Sequence, residues 1–503
     1  MSGTMRRPSP HASGGAAVLI IGGGPTGLSA AYHCGKDALL LEQNDRVGGL
    51  CRSLRQGGFT FDYAGHIMYA GEPYVQELYR ILLGDNVQWR QREAWIYHDG
   101  LYTRYPFQNS LYGLPPQVIK ECLLGIIQAR YGALPSGVAA VADATNSAAA
   151  SKAAPRCRSD RIEDCCGEGI LESTAELGPS QRSVGPPSDT GRPPANFEEF
   201  IYRAWGAGIA RHFAIPYNTK FWTMPLAEIE TSWLGGRVPL PDLDEVLDGA
   251  LQAAGKPEGA AGRIGYPRRG GFQALMDGFL PWLGDRVRLG ARVVGVSPSR
   301  RTVALADGTT LGYERLISTM PLPRLVCAMG DEVPHEVRAA AAALRHVSVR
   351  CVHLGIGREQ LTEKHWIYYP GDTVFHRLFV QGNASADCNP PGGFGLTCEI
   401  TYSKSKPLPC EGTALVERCI ADCRRVGILR ADDPIWETLE ADLPYAHVVY
   451  DHQRAGQVAV IRDWLAGQQV IPAGRYGEWE YYNADHAFLA GKRAAETVRQ
   501  ARP

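Results

Sequence analysis

The first regular pattern in the chain is an apolar run at residues 18–21, which leads directly into Gly22-x-Gly24-x-x-Gly27. Small residues follow at helical spacing, and a second apolar run, Ala38–Leu41, ends in Glu42. The pattern predicts a strand, a tight turn, a helix, a second strand and an acid. Glycines at these positions let the backbone approach a pyrophosphate at a helix N-terminus, and an acid about 20 residues further on can bind ribose hydroxyls. We expect a dinucleotide site; the alternative is a glycine-rich loop beside a surface glutamate.

A second glycine pair follows at once, in Arg46-Val-Gly48-Gly49. NAD enzymes do not need this pair, but a larger cofactor that continues past the first turn does. The spacing Glu-x3-Arg-x-Gly-Gly is similar to the second fingerprint of FAD-binding amine oxidases and mutases, whereas Arg46 alone could be a solvated loop arginine. The candidate FAD-binding residues of this stretch are Gly22, Gly24, Pro25, Thr26, Gly27, Glu42, Gln43, Arg46, Gly48, Gly49 and Leu50.

Later patterns predict further helices and strands. Helical periodicity covers residues 73–84, 116–131, 197–213, 273–283, 413–426 and 487–499, and a Trp-Gly-Ala-Gly turn interrupts the third of these. Strand-like alternation returns at residues 287–305 and 316–320, and again between residues 347 and 402. The pattern predicts an α/β fold, in which a discontinuous Rossmann-type FAD-binding domain carries a helical insertion domain and a second antiparallel sheet.

The expected segments follow this pattern and one change in composition. Ala, Ser, Gly and Pro dominate residues 132–194, with little apolar periodicity, which is typical of a disordered insertion. We predict a disordered leader at 1–15, the FAD-binding domain at 16–104 and 246–345, a helical substrate domain at 105–245 containing that insertion, an antiparallel substrate domain at 346–445, and a return to the FAD domain at 446–503.

Composition narrows the class of protein. The 503 residues are 45% hydrophobic and 21% charged with a net charge of −1, so nothing in the charge balance attracts nucleic acid. No apolar run reaches the length of a membrane span. Thirteen scattered cysteines without ligand spacing predict reduced thiols and no metal site. We expect a cytoplasmic protein; its oligomeric state, including a homo-oligomer, stays open.

Three blocks combine flat aromatic side chains with amides or prolines. They are Tyr105-Pro-Phe107-Gln108-Asn109, Pro216-Tyr217-Asn218-x-Lys220-x-Trp222 and Trp366-Ile-Tyr368-Tyr369-Pro370. Such sets can stack a base and bind its edge, although each block alone is equally typical of a packed core. No Ser/His/Asp or Cys/His grouping competes with them as a catalytic site.

With these blocks in place, the chain resembles the UDP-galactopyranose mutase family, especially its eukaryotic-type branch, within the flavin amine oxidase and protoporphyrinogen oxidase-like superfamily. The resemblance extends in order over GGGPTGL, GHIMY, QREAWIY, YPFQN, GIARHFAIPYNTKFW, WLGGRVPLP, YPRRGG, LISTM, WIYYP with FHR, and GRYGEWEYYNADH. Two stretches depart from the family pattern. Residues 257–264 lack an expected Gly-Pro-Asn block, and Tyr445-Ala-His447 replaces a Tyr-Pro pair.

The resemblance implies roles for individual residues. His66, Arg237 and Arg377 would be catalytic, the two arginines by holding the diphosphate of a nucleotide sugar. Further cofactor contacts would come from Gly65, His66, Arg92, Val294, Gly477, Asp485 and His486. The implied substrate-binding residues are Tyr105, Phe107, Gln108, Phe213, Asn218, Trp222, Arg237, Tyr368, Arg377, Tyr445, Tyr481 and Asn483.

The resemblance also implies a reaction. In this family N5 of reduced FAD attacks the anomeric carbon, and the sugar interconverts between pyranose and furanose forms. NAD(P)H is a candidate reductant. Because no nicotinamide fingerprint separate from the FAD one is visible, it would act transiently at the substrate cleft. Two alternatives stay open: an FAD-dependent oxidoreductase of the amine oxidase or protoporphyrinogen oxidase type, and a binding protein without catalytic activity.

Overall fold

The computed structural model describes residues 16–69, 71–132, 192–234, 241–253 and 262–500. The predicted leader, almost all of the predicted insertion, Arg237 and most of the departing stretch 257–264 lie outside the described residues.

The described residues form eighteen strands and fourteen α-helices. The strands are β1 Ala16–Ile21, β2 Ala38–Leu41, β3 Ser53–Gln56, β4 Phe59–Asp62, β5 Val87–Gln91, β6 Ala94–His98, β7 Leu101–Arg104, β8 Arg263–Pro267, β9 Val287–Arg288, β10 Val293–Ser297, β11 Thr302–Leu305, β12 Thr310–Ser318, β13 His346–Ile356, β14 Trp366–Tyr368, β15 Arg377–Phe379, β16 Phe394–Tyr402, β17 Ile435–Val448 and β18 Val470–Pro472. The helices are α1 Pro25–Cys34, α2 Pro73–Leu83, α3 Pro116–Tyr131, α4 Phe197–Ile209, α5 Ile215–Trp222, α6 Leu243–Leu251, α7 Gln273–Asp277, α8 Leu280–Leu283, α9 Leu322–Ala328, α10 His335–Ala343, α11 Gln381–Ala384, α12 Thr413–Arg425, α13 Arg454–Gly467 and α14 Ala484–Gln500.

The first sheet is assembled from distant parts of the chain. Its strand order is β10-β11-β12-β1-β2-β9, with β18 beside β12, and β1 pairs in parallel with both β2 and β12. The apolar run at 18–21 is buried in its centre because both faces are covered. The predicted discontinuous Rossmann-type domain is confirmed, and the C-terminal helix α14 returns to pack on α1.

The second sheet has the order β17-β13-β16-β15-β14-β6-β7. Its pairs are antiparallel except for β14 with β6, which run in parallel. Strands β6 and β7 therefore belong to this sheet, and not to the predicted first segment 16–104. Their pairing with β14 is a long-range contact that local periodicity does not encode.

The helical part follows β7 in the sequence and contains a built-in break. Gly206 adopts φ 73° within α4, at the predicted Trp-Gly-Ala-Gly turn. A Cβ atom at Gly206 would overlap the backbone of Gly125, because α3 and α4 cross there in direct backbone contact. The helix predicted at 197–213 consequently ends at Ile209 and continues as a π-helical turn, Ala210–Ala214, into α5. The predicted helix 273–283 is likewise divided into α7 and α8.

Candidate active site

The glycine turn after β1 is a cradle of backbone atoms. Gly22 adopts φ 99° and donates its N–H to Leu41 O at 2.8 Å, which ties the turn to β2. A Cβ at Gly27 would overlap the carbonyl oxygen of Gly22, so helix α1 can approach the turn only with glycine there. The first turn of α1 has no side-chain cap at Gly24. Its amides therefore face the position where an anion would be stabilised.

Glu42 lies beside this turn, as expected. Its side chain is buried, and the carboxylate accepts the Gly23 N–H at 2.7 Å and the Asn44 N–H at 2.9 Å. These bonds fix a buried negative charge at the end of β2. A carboxylate held there can accept hydrogen bonds from a ribose.

The second glycine pair faces the first. Gly48 and Gly49 have φ values of 120° and 55°, and Gly48 donates its N–H to Gly23 O at 2.8 Å. The nearest protein atom to a Cβ built at Gly24 is Gly49 Cα, at 3.8 Å. Two backbone turns thus meet without intervening side chains, and this arrangement fits the diphosphate of a flavin dinucleotide.

Other predicted cofactor residues near this cradle differ in exposure. Thr26 is buried and Leu50 is half-buried, whereas the Gln43 and Arg46 side chains are exposed. Val294 in β10 is 50% exposed, so its side chain makes little contact within the protein.

Gly65 and His66 lie beside the second sheet. Gly65 donates its N–H to Glu399 Oε1 at 3.0 Å, from β16 of the second sheet. His66 Nδ1 lies 2.7 Å from Ala64 O, and its ring stacks on Phe272 with 5.1 Å between centroids. Burial, together with the smaller effect of the charges of Arg475 and Arg377, lowers the pKa of His66 to about 4. The imidazole is therefore neutral at pH 7.

The buried carboxylate of Asp62 binds the backbone of Phe272. Asp62 accepts hydrogen bonds from Ser53 Oγ at 2.6 Å, Tyr266 Oη at 2.7 Å and Phe272 N at 3.0 Å. Burial raises the pKa of Asp62 to about 6 despite these donors. The network fixes the ring on which His66 stacks.

Arg377, in β15, is anchored by a buried acid in the region where the second sheet meets α5, hereafter the cleft. It forms an ion pair with Glu399, whose side chain is only 1% exposed, and Nε donates to the same carboxylate at 2.9 Å. The guanidinium carbon lies 5.0 Å from the Trp366 ring centroid. Because Glu399 also accepts from Gly65, one buried acid joins Arg377 to the loop of His66.

Aromatic rings form a continuous wall beside Arg377. Tyr368 lies 5.3 Å from Tyr105 and 5.4 Å from Tyr217 between ring centroids, and Tyr217 stacks on Phe213 at 5.4 Å. Arg92 Nη2 donates to Tyr368 Oη at 3.1 Å. The wall contains one tyrosine from each of the three predicted aromatic blocks: Tyr105, Tyr217 and Tyr368.

Two of the predicted substrate contacts are enclosed by protein in this structure. Phe107 is 0% exposed and Trp222 is 1% exposed, because both are enclosed by other aromatic rings. Neither offers surface to a ligand, so their contribution to the pocket is packing. Gln108 is also buried, and Asn218 Nδ2 donates to Ala214 O at 2.8 Å.

The predicted C-terminal residues are divided between two places. Tyr481 lies in the cleft, where it stacks on His447 at 5.8 Å, and it is followed closely by Asn483. Tyr445 instead stacks on His346 at 4.3 Å and packs near Trp479. Its predicted role in substrate binding therefore stays a prediction.

The remaining predicted residues lie at the start of α14 and before it. His486 Nδ1 is 3.0 Å from Asp485 Oδ1, and a Cβ at Gly477 would be 2.8 Å from Ser318 O. Gly477 therefore lies against the end of β12, next to the glycine cradle.

Sequence reasoning missed Glu399, Arg475 and His447 as site residues. Glu399 is a single acid within the apolar stretch FGLTCEITY, and an acid in a fully buried strand was the available signal. Arg475 and His447 lie within stretches already singled out, but nothing local shows that Arg475 Nη2 meets His447 Nδ1 at 2.8 Å.

In the part of the chain that the structure describes, no group of three or more His, Cys, Asp or Glu side chains could hold a metal ion. No helix there is both long and apolar enough to span a membrane. The ten described cysteines are free thiols.

Comparison with known proteins agrees with this geometry. A sequence model of the NAD(P)-binding Rossmann-like domain matches residues 20–82, and that of the flavin containing amine oxidoreductases matches residues 240–499. A crystal structure of reduced UDP-galactopyranose mutase is 26% identical, covers 97% of this chain and 94% of its own, and has a TM-score of 0.80. Putrescine oxidase, at 16% identity and TM-score 0.58 over 96% of this chain and 99% of its own, is similar in fold.

Similarity to curated relatives is local. A ferredoxin–NADP reductase of Gluconacetobacter diazotrophicus is 42% identical over 64 residues, which are 12% of this chain and 19% of the relative. The chain thus spans about a fifth of that relative's length. The amine oxidoreductase match covers more than half of the chain, and the glycine cradle supplies the dinucleotide site that FAD requires. The chain belongs to the flavin containing amine oxidoreductase family.

Proposed function

We propose that this flavoenzyme is a nucleotide-sugar mutase of the eukaryotic UDP-galactopyranose mutase type, which interconverts pyranose and furanose forms of a UDP-galactose-like substrate. One observation carries the proposal: Arg377 is fixed by the same buried Glu399 that binds the loop of His66. Through Glu399, the arginine that we assign to the diphosphate is thus linked to the histidine that we assign to the flavin. The similarity to reduced UDP-galactopyranose mutase supports this choice.

In this proposal the cradle of Gly22, Gly24, Gly27, Gly48 and Gly49 holds the FAD diphosphate, and Glu42 binds the ribose. Reduced FAD, when bound, supplies the nucleophile for the anomeric carbon. Neutral His66, stacked on Phe272, forms a flat wall beside the ring system. We assign Arg92, which donates a hydrogen bond to Tyr368, to the same ring system.

The arginines have the task of stabilising charge on the diphosphate. Exchange at the anomeric carbon releases UDP, so negative charge grows on its oxygens. A fixed, forked and always-charged donor is suited to this task, and one such donor is typically worth 10²–10³ in rate. We assign this role to Arg377 and Arg237.

The aromatic wall is suited to the nucleotide. Tyr105, Tyr217 and Tyr368 give flat surfaces for the uracil and hydroxyl groups for phosphate oxygens, while Phe107 and Trp222 hold these rings from behind. We infer that Asn218 faces the base and that Tyr481 and Asn483 face the phosphates and sugar, while buried Gln108 supports the pocket with Phe107.

The first test is nucleotide binding. We expect Arg377→Ala and Arg237→Ala each to weaken UDP binding to the oxidised holoenzyme by at least tenfold in calorimetric titration. Arg377→Lys keeps the charge and the partner of Glu399 but loses the forked donor, so it should fall between wild type and alanine. Unchanged UDP affinity in both alanine variants would contradict the diphosphate assignment.

The mutase needs a reduced flavin, and NAD(P)H is the proposed reductant. Anaerobic mixing with NADPH or NADH should bleach the flavin absorbance, and UDP should slow the bleaching if the nicotinamide enters the same cleft. Bleaching that UDP does not affect would contradict shared use of the cleft.

A second candidate is an FAD-dependent oxidoreductase, which the family match favours. It predicts oxygen-dependent turnover that starts from oxidised flavin and needs no added reductant. The cationic cleft argues against an amine substrate, because an aromatic cage without arginines suits a cation. Oxygen consumption with a panel of amines, and its absence with UDP-sugars, would favour this candidate.

A further inference from the structure

His447, near the end of β17, is held in one protonation form. Arg475 Nη2 lies 2.8 Å from its Nδ1, and a guanidinium can only donate. Nδ1 therefore carries a lone pair and, in a neutral ring, the proton lies on Nε2. Burial, followed by the charges of Arg475 and Arg377, holds the pKa of His447 well below its usual value, in agreement with a neutral ring.

The ring is also fixed in orientation. It is 9% exposed, stacks on Tyr481 with an interplanar angle of 13°, and lies 4.6 Å from the Phe221 ring. Arg475 is held in turn, because Nη1 donates to Tyr482 O at 2.9 Å and its guanidinium carbon is 4.6 Å from the Tyr481 ring. Among the described residues, Nε2 has no hydrogen-bond partner.

We propose that His447 is a specificity-determining residue, whose Nε2–H donates to an oxygen of the hexose ring of the bound nucleotide sugar. The inference rests on the proposed function. Arg475 acts through His447 and is a positioning residue, since it selects the tautomer that makes Nε2 a donor.

The location of His447 favours the sugar over the nucleotide. Its ring stacks on Tyr481, which the proposed function assigns to the phosphates and sugar, and Arg475 contacts both rings. In a nucleotide sugar, the group attached to the diphosphate on the side away from the nucleoside is the hexose.

This donor suits an uncharged acceptor. A neutral imidazole N–H offers direction without a net charge, whereas the phosphates are already served by arginines. The substitution at Tyr445-Ala-His447 would thus give this chain a sugar contact of its own.

The test compares the affinities of oxidised holoenzyme for UDP-galactopyranose and for UDP in wild type, His447→Phe and His447→Gln. Phe keeps a flat ring between Tyr481 and Phe221 but has no donor, while the Gln amide can place an N–H near the position of Nε2. We expect Phe to weaken UDP-galactopyranose binding about tenfold with UDP affinity unchanged, and Gln to recover most of the loss.

The control is His452→Gln, an exposed histidine a few residues downstream, which should change neither affinity. Equal weakening of UDP and UDP-galactopyranose by Phe, equal loss in Phe and Gln, or no loss in either would each overturn the role of His447. Wild-type enzyme that binds neither ligand would overturn the proposed function as well, so the two failures are distinguishable.

Discussion

The glycine cradle and the cleft wall are built in opposite ways. The cradle, formed by Gly22–Gly27 and Gly48–Gly49, presents backbone atoms and leaves no room for side chains. The cleft wall presents side chains that come from distant segments: Arg92, Tyr105, Tyr217, Tyr368, Arg377, Glu399, His447, Arg475 and Tyr481. The cradle is therefore sensitive to any added atom, whereas the wall is sensitive to lost charges and donors.

The largest effect is expected in the cradle. Gly27→Ala places a methyl group on the Gly22 carbonyl, so we expect insoluble or flavin-free protein with loss of native circular dichroism. Gly24→Ala is the matched control, because its methyl group would meet no protein atom closer than 3.8 Å. It should fold normally yet lose FAD, measured as the ratio of absorbance at 450 nm to that at 280 nm. Full flavin content in Gly24→Ala would contradict the cradle as the diphosphate site.

The wall should lose function while keeping its fold and flavin. Glu399→Gln removes the charge that fixes Arg377 and weakens the link to Gly65 N–H, so we expect UDP affinity to fall about tenfold or more. The measurement is calorimetric titration of flavin-loaded protein with UDP. Glu440→Gln removes an exposed acid that pairs with Arg350 on the same sheet and should leave UDP affinity unchanged. Unchanged affinity in Glu399→Gln would show that Arg377 needs no anchor.

A smaller effect is expected from a buried histidine of the second sheet, which should make the free energy of unfolding depend on pH. His353 in β13 is fully buried against Phe61, with Nδ1 at 2.9 Å from Thr397 Oγ1, and burial lowers its pKa to about 3. Because the folded pKa lies below the unfolded value, His353 contributes stability above pH 6.5, and this stability is lost as the pH falls toward 3. One such group should cost about 2 kcal/mol between pH 7 and pH 5.

Urea unfolding at these two pH values checks this expectation. His353→Asn keeps a hydrogen-bonding group for Thr397 but cannot titrate, so its stability should fall less between pH 7 and pH 5 than that of wild type. Equal pH dependence in both proteins would contradict a neutral buried His353.

The same contrast explains what could be predicted from the sequence. The cradle and Glu42 were predictable because their contacts lie within about thirty residues and each glycine meets a local steric need. The break at Gly206 was likewise visible as a Trp-Gly-Ala-Gly turn. Arg377 and Tyr368 could be assigned only through the family resemblance, because their partners come from other segments.

The features that the sequence did not reveal also depend on partners from other segments. The pairing of β6 with β14 leaves no local trace, so the sequence pattern did not show that β6 and β7 join the second sheet. Glu399 and the pair of Arg475 with His447 are long-range contacts, and Phe107 and Trp222 have the composition of a binding site but the burial of a core. Arg237 lies outside the described residues, and its role stays a prediction.

The most direct test of the account is turnover of UDP-galactofuranose by the holoenzyme in two flavin states, followed by chromatography of the nucleotide sugars. The account predicts that dithionite-reduced enzyme converts UDP-galactofuranose to UDP-galactopyranose, while oxidised enzyme under the same anaerobic conditions leaves it unchanged. Reduced, flavin-loaded enzyme that leaves UDP-galactofuranose unchanged would contradict the proposed mutase activity on this substrate.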